Sequence, residues 1–272
     1  MLFTLSIVLY KNESIILNKT IQSILNHPQQ NSYVIIIVDN SPTNILKSLI
    51  NETIIYIHNP SNPGFGAAHN IAISKAIQMG SKYHFIVNPD IYFKDDVLSE
   101  MLWMIEKDAT IGMVMPKILN PDGSPQYLPK LLPSPWHIVR RKIKWPYQAF
   151  QRFINWYELR DVDPNITLNV PILSGCFTLL NIEAIKNVGF YDDTFFMYFE
   201  DWDLSRRMHQ KYQTLYFPKV AVFHEYHSGA NHNMKLFKIF LRSAYHYFTK
   251  WGWFIDKERK AINIKVLEQI VG

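Results

Sequence analysis

The six residues Tyr33-Val34-Ile35-Ile36-Ile37-Val38 constrain this chain more than any others. A run so uniformly apolar, β-branched and too short for a helix predicts a strand buried on both faces, which is the setting of a parallel sheet covered by helices. It ends abruptly in Asp39-Asn40-Ser41. Around it, short apolar runs at 5–9, 54–57, 83–87 and near 113–115 alternate with helix-period segments. One such segment starts at Ser14 as the predicted N-cap, one carries Ala67, Ala68, Ile71, Ala72 and Ala76, and one runs from about 94 to 106. Strand–helix alternation of this kind predicts an α/β fold with a mostly parallel central sheet.

The rhythm breaks between Asn120 and Pro171, where prolines recur from Pro121 onward. We read 118–171 as a Pro-rich insertion or long active-site loop inside a domain covering 1–230, followed by a helical segment at 231–272. After the insertion, a strand within 172–180, helices at 182–187 and about 200–210, and short strands at 214–217 and 220–223 are predicted. At 272 residues with 48% hydrophobic and 19% charged content, the chain can bury a full core, which excludes disorder. Cys176 is the single cysteine, excluding a disulfide framework and a multi-cysteine zinc site. The apolar start has no basic n-region or cleavage pattern and reads as a first strand, so a cytoplasmic location is expected and the Asn-x-Ser/Thr sequons carry no meaning. Two charge-free windows, 53–74 and 164–182, contain too many polar residues to predict a membrane span.

The net charge of +5 is concentrated. Between 130 and 160, Lys130, Arg140, Arg141, Lys142, Lys144, Arg152 and Arg160 face only Glu158 and are interleaved with aromatic residues. A second basic-aromatic stretch runs from 232 to 260.

Ligands of open α/β sheets bind beyond the carboxyl ends of the strands. Three such ends are polar: Tyr10-Lys11-Asn12, Asp39-Asn40-Ser41 and Asn88-Pro89-Asp90. Any one of them also reads as turn chemistry; three on one sheet point to a site. The loop Asn62-Pro63-Gly64-Phe65-Gly66-Ala67-Ala68-His69-Asn70 opens a helix and suits either a phosphate or close packing. It lacks the Gly-Lys-Ser/Thr of a P-loop, and no Gly-x-Gly-x-x-Gly follows the first strand, so neither a P-loop NTPase nor a Rossmann dehydrogenase is supported. Glu200, Asp201 and Asp203 crowd the start of a helix, where capping accounts for one or two carboxylates and a third is free to act as a general base. His224 follows the last strand, with His227 beyond it, and could join Asp90 at a metal. Cys176 reads most simply as a small buried hydrophobe.

Together the stretches SIVLYKNE, IIIVDNSP, NPSNPGFGAAHNIAI, FIVNPDIYF, ILSGCFTLLNIEAIKNVGFYDDTFFMYFEDWDLSRRM and FHEYHS resemble family 2 glycosyltransferases of the GT-A fold, a Rossmann-like nucleotide-diphospho-sugar transferase fold, and most of all the bacterial rhamnosyltransferase branch. The resemblance spans about residues 6–228. It implies that Tyr10, Asn12, Asp39 and Asn40 hold the nucleotide and that Gly64, Gly66 and Asn70 line its pocket. It places Asn88 and Asp90 where such enzymes have Asp-x-Asp, with Asp90 and His224 implied as ligands of Mg²⁺ or Mn²⁺ on the sugar diphosphate. Replacing one carboxylate by Asn88 should weaken metal affinity, since hard cations prefer charged oxygens.

By the same resemblance Asp201 is the catalytic base, Glu200 and Asp203 are its orienting neighbours, and Gly175, Cys176 and Asp192 line the donor-sugar and acceptor pocket. The implied reaction is an inverting transfer of a sugar, L-rhamnose from dTDP-rhamnose, to a lipid-linked surface polysaccharide such as O-antigen or capsule. UDP-galactose or UDP-N-acetylglucosamine as donor, or a non-catalytic glycan-binding scaffold, are the alternatives. A nucleic-acid-binding reading leaves the three carboxylates unexplained. The basic-aromatic segments then suggest peripheral contact with the inner face of a bacterial membrane, through a tail in which Lys235, Lys238, Arg242 and Lys250 lie among aromatics; packing on the core is the competing role.

Overall fold

The computed structural model describes residues 3–27, 33–49, 54–163, 165–225 and 234–271. One sheet organises them. Strands β1 (Phe3–Leu9), β2 (Tyr33–Asp39), β3 (Ile54–His58) and β4 (Tyr83–Val87) are joined in parallel in the order β3-β2-β1-β4. Beyond β4 the order continues β8 (Phe177–Asn181), β6 (Ile111–Leu119), β9 (Gln213–His224) and β5 (Ile91–Tyr92), with β7 (Leu168–Asn169) also on β9. Only β8, β5 and β7 run against the rest. Every residue of β1 is buried, and so is nearly all of β2, as their unbroken apolar sequences require.

Helices cover both faces. Helix α2 (Phe65–Gln78) lays Ala68 and Ala72 against Val8, Ile36 and Val38; alanines allow the helix to approach closely. Helices α1 (Ser14–Leu25) and α3 (Val97–Glu106) bury Leu17, Ile21, Val97 and Met101 in the larger core. Helix α1 begins one residue earlier than expected: Glu13 occupies the N-cap, Leu17 N–H bonds to its carbonyl, and Ser14 is the first helical residue. A polar seam crosses the core, where Thr4 and Ser6 of β1 both hydrogen-bond the buried His84 at 2.7 and 2.8 Å, and Ser6 meets His69 of α2 at 2.7 Å.

The proline-rich stretch is more structured than a loop. It folds a short α4 (Pro135–Arg140), capped by Ser134 with Pro135 in its first turn, and α5 (Tyr147–Tyr157) before β7. The two short strands expected at 214–217 and 220–223 are one strand, β9. Its pairing with β6 jumps from Pro116↔Phe217 to Lys117↔Ala221, so the irregularity around Pro218 mimics a break. Helices α6 (Ile182–Val188) and α7 (Glu200–His209) precede β9, and α8 (Met234–Trp251) and α9 (Lys257–Val271) follow it. Among the described residues, no helix is long and apolar enough to cross a membrane.

Candidate active site

Because β1, β2, β4, β6 and β9 run one way and β8 the other, the ends of the first five and the start of β8 share one edge of the sheet. Asp39 and Asn40 at the end of β2 are almost wholly buried. Tyr56 donates to one Asp39 carboxylate oxygen, and the Ser41 N–H reaches the other at 2.9 Å. Asn40 accepts from Asn59 at 3.1 Å. Beside them, Lys11 N–H donates to Ser41 Oγ at 2.8 Å, and Asn12 caps the Tyr10 N–H at 2.8 Å, leaving the Tyr10 ring about half exposed over this corner.

The Gly64–Asn70 segment supports a neighbouring loop. Gly64 has φ +109°, and a Cβ there would lie 2.2 Å from the Phe196 carbonyl oxygen; one on Gly66 would lie 2.8 Å from Tyr191 Cβ. Phe65 N–H donates to that Phe196 carbonyl at 2.9 Å. Asn70 donates to the Tyr191 carbonyl and to Asp193 at 2.8 and 2.9 Å and accepts from Tyr191 N–H at 3.0 Å. Both glycines and Asn70 therefore dock residues 189–199, the run that leads into α7.

At the centre of the edge, Asn88 N–H is held by the Cys176 carbonyl at 2.8 Å. Cys176 itself is buried, and burial pushes its thiol up to about 12, so it is no nucleophile. Asp90 Oδ1 lies 3.3 Å from His224 Nε2 because β5 pairs Ile91 with His224. Gln126, from the proline-rich segment, accepts through Oε1 from His224 Nδ1–H at 3.0 Å and donates through Nε2 to the His224 carbonyl at 3.1 Å, fixing the ring. Asn88 Oδ1 and Asp90 Oδ1 are buried without a hydrogen bond among the described residues. Two hard oxygens beside an imidazole fit part of a divalent-cation shell that a diphosphate and water would complete. Among the described residues, no three His, Cys, Asp or Glu side chains gather into a full metal cluster. His227 lies outside the described residues.

The acidic helix start resolves into distinct roles. Asp201 Oδ2 accepts from Gly175 N–H at 3.1 Å, and its Oδ1 accepts from Trp202 N–H at 2.9 Å. Glu200 is 5% exposed, and its Oε2 has no hydrogen bond among the described residues. Burial raises both carboxyls above their ordinary values. For Glu200 the Asp201 charge adds to burial, while the two N–H donors and the Lys130 ammonium oppose the rise at Asp201. The pair therefore favours a proton on Glu200 and the charge on Asp201. Lys130, buried with its ammonium on the Tyr127 carbonyl at 2.7 Å, is pushed down by burial to about 8.

Asp203, grouped with this pair in the sequence, faces elsewhere. Two residues on, it is about 200° around the helix, and it binds Arg207 at 2.8 Å, Lys250 at 2.8 Å and Trp251 Nε1 at 2.9 Å. It anchors α7 to α8 rather than orienting Asp201. Asp192 shares Lys250 at 2.7 Å. Partial burial opposes its charge, but Lys250 and Thr194 outweigh burial and hold it at about 2.

The turn before Asp201 is strained. Tyr198 and Phe199 both have left-handed backbones, φ +70° and +67°, which bulky residues rarely adopt. The Phe199 ring is wedged among Trp202 and the α8 residues Phe240, Tyr247 and Phe248, with centroids 4.7 to 6.3 Å apart. Over-determined packing of this kind is what sustains strain at a functional site. Half of the aromatic residues of the tail thus belong to the core. Gln126, Lys130, Tyr56 and this turn escape sequence reasoning; the only local sign was that α8 carries aromatics on two faces.

The sequence model of glycosyl transferase family 2 matches residues 6–189. The chain belongs to this family. Among curated family relatives, the N-acetylglucosaminyl-diphospho-decaprenol L-rhamnosyltransferase of Mycobacterium tuberculosis is 25% identical over 173 residues, 60% of this chain and 56% of that protein. The low-salt glycan biosynthesis hexosyltransferase Agl10 of Haloferax volcanii is 24% identical over 175 residues, 63% of this chain and 52% of its own. The chain spans about half the length of the curated relatives it matches. In structure, it resembles GalNAc-T7 solved with UDP, GalNAc and Mn²⁺ (TM-score 0.63, 16% identity, 92% of this chain and 50% of that one). It also resembles S. aureus TarS residues 1–349 in complex with UDP (TM-score 0.60, 14% identity, 99% and 71% covered). The structural likenesses establish the expected GT-A fold, and the family match establishes membership of glycosyl transferase family 2. Asp201 and His224 lie beyond the span of the family match, so their roles rest on the geometry above.

Proposed function

We propose that this family 2 glycosyltransferase inverts the anomeric carbon as it moves a sugar, L-rhamnose from dTDP-rhamnose, onto a lipid-linked glycan of a bacterial surface polysaccharide, working peripherally at the inner membrane face. The observation that carries the chemistry is Asp201, a half-buried carboxylate held by two N–H donors at the sheet edge where nucleotides bind in this architecture. The rhamnose and the lipid carrier are suggested by what the mycobacterial relative is named for.

Tyr10, Asn12, Asp39 and Asn40 form the corner for base and ribose, and Asn88 and Asp90 face the diphosphate. Asp90 and His224, helped by Asn88 Oδ1, would hold Mg²⁺ or Mn²⁺, which when bound neutralises charge on the departing diphosphate. Asp201 takes the proton from an acceptor hydroxyl, whose oxygen bonds to the anomeric carbon as the bond to the diphosphate oxygen breaks on the opposite side. Protonated Glu200 adds no second negative charge beside that oxygen, and the Gly175–Cys176 turn walls the pocket.

A thermal-shift panel of nucleoside diphosphates and nucleotide sugars, each with and without Mn²⁺, tests the reading, because a ligand of the native state raises apparent stability. A shift with dTDP-rhamnose that grows with Mn²⁺, followed by transfer to an acceptor, supports it. A shift confined to UDP-galactose or UDP-N-acetylglucosamine replaces the donor. No shift with any nucleotide favours a non-catalytic scaffold.

A further inference from the structure

Two stretches far apart in sequence meet on one side of the molecule. The first is the α4–α5 hairpin: residues 134–157 contain Arg140, Arg141, Lys142, Lys144 and Arg152 and no acidic residue. On α4 Trp136 and Val139, three apart, and on the turn after it Ile143 are exposed apolar residues. Trp145 follows, 80% exposed. The second stretch is the outer side of α8, where Phe237, Leu241 and Tyr245, one turn apart, are exposed beside Lys238 and Arg242. Its other side, with Phe240, Tyr247 and Phe248, packs on the catalytic turn.

The turn between α8 and α9 joins the two. The Trp253 ring lies 5.7 Å from that of Tyr245, and the next residues, Phe254 and Ile255, are 83% and 85% exposed. Trp253 and Phe254 then line a groove of about 460 Å³ together with Trp136, Trp156, Arg259 and Lys260. Scattered exposed apolar residues are ordinary on a protein surface, but a continuous band of them is not.

We infer that this band is a docking face for an anionic phospholipid bilayer. Its chemistry is that of the headgroup layer, where tryptophan and tyrosine rings sit at interfacial depth and lysines and arginines meet lipid phosphates. The absence of any carboxylate from 134–157 gives the charge complementarity. A nucleic-acid strand needs a basic track to follow, whereas the residues lining this groove are mostly apolar and Arg259 among them is already bonded to the Pro133 and Phe254 carbonyls.

The face is tied to the site. Arg259 donates to the Pro133 carbonyl, and Leu132 exchanges hydrogen bonds with Asn263 at 2.8 and 3.0 Å. From Ser134, on the groove, to Lys130, whose charge acts on Asp201, the chain spans at most about 14 Å. A bilayer on this face thus brings the headgroup plane close to the catalytic carboxylate. The inference deepens the proposed function, in that a membrane-resident acceptor is part of that reading.

The test is co-sedimentation of the full chain with sucrose-loaded vesicles of phosphatidylglycerol and phosphatidylethanolamine in equal parts, against phosphatidylcholine vesicles. Wild type should bind the anionic vesicles about tenfold or more tightly and release with salt. Lys142→Ala with Lys144→Ala should lower binding roughly thirtyfold, from about one kcal/mol per basic residue. Phe254→Ser with Ile255→Ser, on a turn whose side chains face solvent, should lower it about tenfold or more. Equal binding to both vesicle types, binding to neither, preferential retention on single-stranded DNA, or unchanged binding by both double variants would each overturn the inference. The same preparations are read for their nucleotide thermal shift. Retained nucleotide binding without vesicle binding discards the face and keeps the transferase, and the converse discards the transferase and keeps the face.

Discussion

The Gly175 N–H lies 3.1 Å from Asp201 Oδ2, tying the entry to β8 to the first turn of α7. With the Trp202 N–H on its other oxygen, the carboxylate is held in place as an acceptor before any substrate arrives. Asp201→Asn keeps the shape and removes the proposed base. The expected loss in kcat is about 10²- to 10⁴-fold, with donor affinity changed by less than about threefold. Steady-state kinetics beside donor titration reads both. Near-normal kcat would remove Asp201 from the role.

The pH dependence has a definite sign. A base must be ionised, and burial raises the Asp201 carboxyl, so the acid limb of kcat/KM should lie above the ordinary carboxylate range of about 4. Glu200 carries the proton of the pair. In Glu200→Gln that neutral partner becomes permanent; because Glu200 is already neutral while Asp201 ionises, the acid limb should stay where it is, and a limb that falls would mean that Glu200 ionises first. Stability follows the same logic: a carboxyl raised by folding disfavours the native state increasingly as pH rises above its unfolded value, so Glu200→Gln should raise Tm at neutral pH and do little at about pH 4. Thermal melts across pH check this, and a variant less stable at neutral pH would contradict it.

The strand ends Asp39, Asn88 and Asp90 could be read from sequence because buried parallel strands are continuous apolar runs whose polar ends stand out. Asp203 could not be told from Asp201 in the same way. Both are acidic in one helical turn, and only the placement of Lys250, Arg207 and Trp251 around Asp203 separates an anchor from a base. The glycine loop had two readings of similar weight, and Phe196 and Tyr191, more than a hundred residues away, show what its small residues accommodate. Gln126 had no local signal, since its value lies in reaching His224 across the sheet edge.

Asn88 offers a gain-of-function test. Its Oδ1 is a buried neutral acceptor beside Asp90. Asn88→Asp would supply a second carboxylate, which hard cations prefer, so the Mn²⁺ concentration for half-maximal donor binding should fall about tenfold or more. Asp90→Ala should raise it. Titrating Mn²⁺ into the donor thermal-shift assay measures both, and an unchanged midpoint in each variant would place the cation elsewhere.

The polar seam predicts acid sensitivity. Burial lowers the His84 imidazole to about 3 and His69 well below its usual value, so both are neutral in the fold. The unfolded chain protonates them near pH 6.5. It therefore binds more protons than the native state below that pH, and the stabilisation, complete above about pH 6.5, declines as pH falls by about 1.4 kcal/mol per pH unit for each histidine that stays neutral in the fold, for His84 down to about pH 3. His84→Gln, which retains groups able to bond Thr4 and Ser6, should reduce the slope of stability between about pH 6 and 4 by one proton's worth. Denaturant melts over that range decide it; an unchanged slope would mean that His84 is already charged in the native state.

Phe248 links the tail to the turn that carries the proposed base. It is 2% exposed and packs on Phe199, one of two consecutive residues held in left-handed conformation immediately before Glu200 and Asp201. Each such bulky residue costs about 1–3 kcal/mol, retained only while its surroundings hold it. Phe248→Ala removes one wall and should destabilise the protein by about 3–5 kcal/mol. The effect specific to the strained turn is kinetic: as Phe199 relaxes, Asp201 shifts against Gly175, and kcat should fall about tenfold or more at temperatures where the variant remains folded. The corner at Asp39 and Asn40, proposed for the nucleotide, is built on β2 and should bind donor nearly as before. Phe248→Leu, which refills most of the space, should restore both stability and kcat in part. Loss of donor affinity in step with kcat would instead mean that α8 supports the whole sheet edge rather than the turn that presents the base.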